Sequence, residues 1–328
     1  MADDAISLRR LAACGEQAMT KIAKVDVVGV GLNATDTLIP VEHFPERGSK
    51  VEIRSAEALL GGQVASAMVA CRIWGLSARY VGKIGEDPAG ALHREEFARR
   101  GVEAHLFVAS GTPSQQAFIL VDHTGERTVL WKRDGRLALL PEELNREWIV
   151  NARALHVDGH DTAAATQAAQ WAREASVPVV ADLDDLYPDY EQLLPKIDFL
   201  ITSRDIPVRL THEPDLRKSL PEVQARYGCR LAAATLGHDG VLAWDGEKFH
   251  NVAAYRVKVL DTTGAGDIFH AGFIYGLLHA WPIERRLEFA CAAAALNCTA
   301  VGARGGIQPV EKIEECMMTV AKYPTARD

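Results

Sequence analysis

"VLDTTGAGDIFHAGF", residues 259–273, decides the reading. A short apolar run ends in Asp261, two threonines, the turn Gly264-Ala265-Gly266 and a second acid, Asp267. From there Ile268, Phe269, Phe273, Ile274, Leu277 and Leu278 recur at helical spacing, and Pro282 marks the end. The glycine turn therefore stands at a helix N-terminus, where four backbone N–H groups lack internal partners and about half a positive charge gathers. Such an end binds phosphate, and small residues let the anion approach the N–H groups. An acid in the first turn also stabilises the helix dipole by ~0.3–1 kcal/mol, but that purpose needs no preceding glycines. The stretch thus predicts an ionised carboxylate beside an anion site, placed to take a proton from a hydroxyl attacking bound phosphorus.

Around this segment, short Val- and Ile-rich runs alternate with helix-length amphipathic stretches. Strands are expected at Val25–Val30, Ala78–Val81, Ala117–Val121, Thr128–Lys132, Ala154–Val157, Val177–Ala181, Phe199–Ile201, Leu231–Thr235 and Val241–Trp244. Helices are expected at Ala56–Trp74, Gly90–Arg100, Thr162–Glu174, Leu216–Tyr227, Gly266–Leu278 and Ile283–Ala300. The alternation after Ala154 implies an α/β fold with a mostly parallel, doubly wound sheet flanked by helices. Prolines and short extended pieces within about 36–54, and a hairpin around "DHTGER" within about 112–133, imply a small β-rich lid. The expected division is an N-terminal extension, residues 1–23, and one principal domain, 24–328, bearing that lid.

The chain has 328 residues, a net charge of −8 and 48% hydrophobic content, which is ordinary for a soluble globular protein and offers no basic face to nucleic acid or an anionic membrane. Six cysteines are scattered without a C-x-x-C pair, so reduced thiols in the cytoplasm are expected. The first 24 residues begin acidic and carry no apolar core of signal-peptide length. No apolar run reaches the ~18 residues of a membrane span.

Other glycine turns divide by their surroundings. Gly29-x-Gly31-x-x-Ala34 follows a strand, but Thr35, Thr37 and Pro40 come next where a dinucleotide site needs a helix, so the turn is read instead as presenting Asp36. Walker-type and H-E-x-x-H sequences are absent. "ADLDDLYPD" is read mainly as a solvated acidic loop, with substrate or cation contact as its alternative. "GGQVASAMVACRIWG" sets Gly61-Gly62 before an apolar helical stripe; a helix cap explains one glycine more easily than both, and ligand contact explains the pair.

"DTTGAGDIFHAGF" resembles the C-terminal signature of the ribokinase-like (PfkB) carbohydrate kinases, and "GGQVASAMVACRIWGLSARYVGKIGEDPAG" resembles their N-terminal one; order and spacing agree from about residue 24 to 313. The resemblance implies an ATP-dependent sugar kinase using Mg2+. By it, Asp267 is the general base and Gly264, Ala265 and Gly266 form the anion hole. Asp36 and the Gly61-Gly62 pair would bind the sugar, with Gln63 where ribokinases often have asparagine nearby. "ATLGHDGV" implies nucleotide contacts at Thr235, Gly237 and Gly240, joined by Thr263 and by Cys291 near adenine. Asp261 and Thr263, with carbonyls near 300–305, match the monovalent-cation (K+) site of some members. The family's N-x-x-E element would fall at "LITSRDIP", where Ser203 and Asp205 stand, leaving magnesium to ATP and water. Ketohexokinases depart similarly there, and "CTAVGARGGI" resembles the tail of sulfofructose kinases. Lys132, Arg133 and Arg136 in "LWKRDGR" are read as solvated or as meeting an anionic sugar group, with Arg133 taken as the substrate residue. A homodimer through the lid is expected. A nucleoside kinase on the same scaffold would need an aromatic slot, and a non-catalytic sensor would lack the acid after the glycine turn.

Overall fold

The computed structural model describes residues 23–123 and 127–324. Strand β1 (Val25–Val30) is buried along almost its whole length and pairs in parallel with β4 (Ala78–Gly85) on one side and β8 (Ala152–Asp158) on the other. A near-continuous apolar run suits that central place, where both sheet faces are covered. Beyond β4 lies β5 (Glu103–Ala109); beyond β8 follow β9 (Val179–Leu183), β10 (Phe199–Ser203) and β11 (Leu231–Thr235), all parallel. Two antiparallel strands, β12 (Val241–Trp244) and β13 (Phe249–Val252), complete a nine-stranded sheet.

One face carries α1 (Gln63–Ile73), α8 (Ala265–Leu278), α9 (Ile283–Asn297) and α10 (Val310–Thr319), whose apolar side chains form one core cluster with the sheet. The other face carries α4 (Thr162–Glu174) and α7 (Leu216–Tyr227), packed on a second cluster. Shorter helices, α3 (Arg146–Val150), α5 (Tyr190–Leu193) and α6 (Asp205–Thr211), fill the connections, and α2 (Pro88–Arg100) joins β4 to β5.

The chain runs outward from β1 through β4 and β5, then returns to β8 and proceeds the other way. Direction therefore reverses at β1 and β8, and ligands of such sheets bind beyond the carboxyl ends of strands at that reversal. Above those ends stands a separate four-stranded sheet in the order β3-β2-β6-β7, built from β2 (Ala34–Pro40), β3 (Glu57–Gly61), β6 (Gln116–Val121) and β7 (Arg127–Lys132).

Three expectations are corrected. The helix expected from Ala56 is a strand as far as Gly61: residues 57–61 pair antiparallel with β2, and helix begins only after Gly62, whose φ is +93°. Tertiary pairing overrides the helical preference of "AEALL". The helix expected to reach Ala300 stops at Asn297, where the chain turns to form the loop over the site. Asp36 does not end the first strand but lies inside β2. The tip of the "DHTGER" hairpin and the expected N-terminal extension, except Ala23, fall outside the described residues, as does Cys14.

Candidate active site

Gly264 caps α8 in the left-handed conformation, at φ +76°, and a Cβ there would lie 2.4 Å from the Ala303 carbonyl oxygen. Two turns meet too closely for any side chain. A Cβ on Gly266 would meet nothing within 4 Å, so packing does not demand glycine there; its bare backbone faces open space. That space is a cleft of about 240 Å³. Its walls include Thr235, Gly237, Gly240 and Cys291 together with Ala265 and Gly266, so the residues expected at nucleotide and anion share one cavity. Thr263 and Gly264 are not among its lining residues.

Asp267, one residue past Gly266, is only partly exposed. Burial raises its carboxyl to about 6, while Arg304 and a hydrogen bond from Ser66 act to lower it. Facing it is Asp36 on the four-stranded sheet, raised to about 7 by burial and by the charge of Asp267. Gly61 lies against that acid: a Cβ on it would sit 2.2 Å from Asp36 Oδ2. Gly62 is equally crowded, since a Cβ there would fall 2.4 Å from Asn33 Cα. Both glycines are thus required by close approach of backbone, the capping role belonging to Gly62 and the clearance of Asp36 to Gly61.

Asn33 and Gln115 line a small pocket with Arg133 and Asp161, while Gln63 follows the Gly61-Gly62 pair. Among the described residues, the amide oxygens of Asn33, Gln63 and Gln115 are buried without hydrogen-bond partners. Each seeks a donor, as a hydroxyl would provide. Asp182 is buried, with the Gln63 amide acting to lower its pKa, which contradicts the solvated-loop reading of "ADLDDLYPD" at that acid. Asp182 is buried at the end of β9, and its pKa is raised well above the ordinary value by burial, then by Asp267. His270 lies 3.2 Å from it and donates from Nδ1 to the Gly266 carbonyl at 2.8 Å, bracing the anion turn from behind. Asp184, two residues on, is exposed.

A model described as "pfkB family carbohydrate kinase" matches residues 20–310. The chain belongs to the PfkB family of carbohydrate kinases. It is an ATP-dependent carbohydrate kinase. Similar proteins include the ATP-dependent ribose-1-phosphate kinase of Halopiger xanaduensis, 31% identical over 85% of this chain and 94% of the relative. The 5-dehydro-2-deoxygluconokinase of Bacillus subtilis is 27% identical over 88% of this chain and 95% of its own. Arabidopsis thaliana ribokinase, solved with ribose and ATP, shares the fold with a TM-score of 0.79 at 24% identity, covering 90% of this chain and 99% of that one.

Other expected site residues of this PfkB kinase are placed less simply. Arg133 is engaged by the protein, pairing with Asp161 at 2.5 Å and donating to the carbonyls of Leu137 and His160. Lys132 is exposed. Asp261 uses both oxygens as a clasp: Oδ1 accepts from the Thr263 N–H at 2.9 Å and its hydroxyl at 2.7 Å, and Oδ2 accepts from the Gly302 N–H at 2.7 Å. The protein's own donors thus engage both oxygens of Asp261. At "LITSRDIP" the Ser203 hydroxyl donates to Asp205 at 2.9 Å, and Asp205 pairs with Arg209.

Two arginines escaped the sequence reading. Arg127, at the start of β7, reaches from the small sheet to donate to Thr263 Oγ1 at 3.2 Å, and its charge bears on both Asp36 and Asp267. Arg304, in the loop after α9, has a side chain only 6% exposed, and its charge bears on Asp267. Only "CTAVGARGGI" hinted at it, as a motif without a role.

Proposed function

We propose that Asp267 is the general base of a sugar phosphorylation, and that the N–H groups of Gly264, Ala265 and Gly266 receive the charge of the phosphoryl group as it transfers. The observation that carries this reading is the pairing of Asp267 and Asp36, whose charges act on each other, beside a glycine turn that opens into a cleft. Asp36, Gly61, Gly62 and Gln63 hold the sugar; Thr235, Gly237, Gly240, Thr263 and Cys291 hold the nucleotide. The hydroxyl loses its proton to Asp267 while it attacks the terminal phosphorus of ATP. The bond from that phosphorus to the β–γ bridging oxygen breaks, ADP leaves, and the charge developing on the phosphoryl group meets N–H groups fixed in advance.

Magnesium enters with the nucleotide. Among the described residues no three His, Cys, Asp or Glu side chains converge on a metal position. The exposed Asp184 carboxylate, whose charge reaches Asp267, fits contact with a hydrated ion. When bound, Mg2+ supplies neutralisation of phosphate charge. No step is assigned to K+.

The small sheet acts as a lid that excludes water, and we place a homodimer contact on its outer face, where Phe118 and Leu130 are paired and exposed. Domain limits follow: a kinase domain from residue 24 with the lid inserted, preceded by an extension. The five described cysteines are unpaired, which supports a cytoplasmic location. Among the described residues no helix is long and apolar enough to cross a membrane.

For the substrate we propose a sugar bearing an anionic group, supported by the names of the two relatives and by Arg127, whose charge bears on Asp36 and Asp267, whereas Arg133 is already held by Asp161. The test is ADP release measured over pentoses, pentose phosphates, deoxy-keto-sugar acids, sulfonated sugars, ketohexoses and nucleosides. Turnover confined to anionic sugars is expected. Equal turnover of their neutral counterparts would remove Arg127 from specificity, and turnover of nucleosides alone would replace the sugar reading.

A further inference from the structure

Arg304 stands at a junction of elements. Its Nη2 donates to the Gly61 carbonyl at 2.7 Å, its Nε to Ser66 Oγ at 3.1 Å, and its Nη1 to the Glu96 carboxylate in a buried ion pair. The guanidinium also lies over the Phe97 ring, 6.0 Å from its centroid. Three partners from β3, α1 and α2 are thereby fixed by one side chain from the loop after α9. An arginine can only donate, so Ser66 accepts from it and is left with its own proton to direct elsewhere. The Ser66 hydroxyl is among the groups that hold the Asp267 carboxyl down, beside the charge of Arg304 itself.

We propose that Arg304 is a positioning residue that sets the sugar-side glycine turn and the Asp267 carboxylate in one frame. It acts on the base through Ser66 and through its charge, and on the sugar through the Gly61 carbonyl. The inference rests on the role of Asp267 given above. Glu96 is its counterweight, keeping the buried arginine neutralised on the side away from the site. Other groups bearing on Asp267 are Arg127 from β7, Asp36 from β2, Asp182 and Asp184 from the end of β9, and His270 one turn along α8, which burial keeps neutral.

The test is the pH dependence of kcat/KM, whose acid limb reports the base in the free enzyme. Arg304→Gln removes the positive charge, so the acid limb moves up by about one pH unit and the sugar KM rises ~10-fold, while the ATP KM changes little. Glu96→Gln keeps a hydrogen-bond acceptor but leaves the arginine less neutralised, so the limb moves down. Arg304→Lys restores the limb but not the sugar KM, because a compact ammonium cannot span the three separated partners that the guanidinium fork reaches. If Arg304→Gln fails to fold, the double variant Glu96→Gln/Arg304→Gln, which leaves no lone buried charge, supplies its limb.

Movement of both single variants in the same direction, or of neither, with the thermal transition intact, overturns the proposal. Asp267→Asn is measured beside them. If it turns over normally, the base assignment falls and this inference with it; if it is inactive while Arg304→Gln leaves the limb in place, only the inference falls.

Discussion

Asp36→Asn is expected to make the kinase more stable and worse at its work, and the size of the first effect follows from the carboxyl's surroundings. Asp36 is 7% exposed, and its pKa rises from the ordinary 3.8 to about 7. The folded protein thus holds this proton to higher pH than the unfolded chain does. No destabilisation exists below the unfolded pKa; it grows as pH climbs between the two values and levels off above the folded one. About three pKa units at ~1.36 kcal/mol each set an upper bound of about 4 kcal/mol. For a chain of 328 residues the unfolding entropy is roughly 0.7 kcal/mol per degree, so Asp36→Asn raises the melting temperature by at most about 6 °C at pH 8. The gain shrinks toward pH 5, since only about a third of the titration then separates the two states. Scanning calorimetry of both proteins at pH 5, 6, 7 and 8 measures this directly. At pH 8, where Asp36 is largely ionised, the sugar KM of the variant should rise ~10–100-fold, the value of a hydrogen bond to an ionised acceptor. A difference in melting temperature that does not change with pH, or that falls as pH rises, would refute the reasoning.

Asp267→Asn should lower kcat by ~10²–10⁴ while ATP binding, followed by calorimetry, stays within a few-fold of wild type. The wild-type acid limb should lie near the pKa of about 6 given to Asp267, with activity lost as pH falls through it, and a limb below pH 4 would exclude a buried base. Gly61→Ala drives a methyl group into the Asp36 carboxylate, so the sugar KM should rise with little change for ATP, and equal loss toward both substrates would contradict the assignment. Cys291→Phe fills the 240 Å³ cleft, so the ATP KM should rise ~10-fold or more and the sugar KM should hold.

The parts of the fold legible in the sequence are those where one local signal decides. Val25–Val30, Leu231–Thr235 and Val241–Trp244 are strands as expected because each is a short apolar run bounded by turn residues. Thr162–Glu174 and Leu216–Tyr227 are helices at the expected limits, the second despite Pro221 inside it. Where the deciding partner is distant, the reading fails. "AEALL" is a good helical string that becomes a strand because β2 lies beside it. β13, "FHNV", is too short and polar to announce itself without β12. At the site, the glycine turns and Asp267 were visible because conformation and chemistry coincide in consecutive residues. Arg127 and Arg304 were not, because each acts on residues more than 130 positions away in the chain. Asp182 looked solvated because its neighbours Asp184 and Asp185 are, and only burial against Gln63 and His270 separates it from them.

Legibility also bears on the puzzle set by the first stretch, an acid beside a turn that attracts anions. A count of Asp36, Asp158, Asp182, Asp184 and Asp267 around the strand ends gives five negative charges where phosphate must enter. Formal charge is the wrong measure. Burial raises Asp36 and Asp158 to about 7 and Asp182 well above the ordinary value, so near neutral pH much of this charge is held as protons. Asp267, with the Ser66 hydrogen bond and the Arg304 charge acting to hold it down, titrates lower, at about 6, and is ionised there. Its neighbours keep the basicity that burial confers without adding their full repulsion to phosphate. An isosteric Asp182→Asn change should therefore barely alter ATP affinity at pH 7, whereas an ionised Asp182 would make that same change tighten ATP binding several-fold.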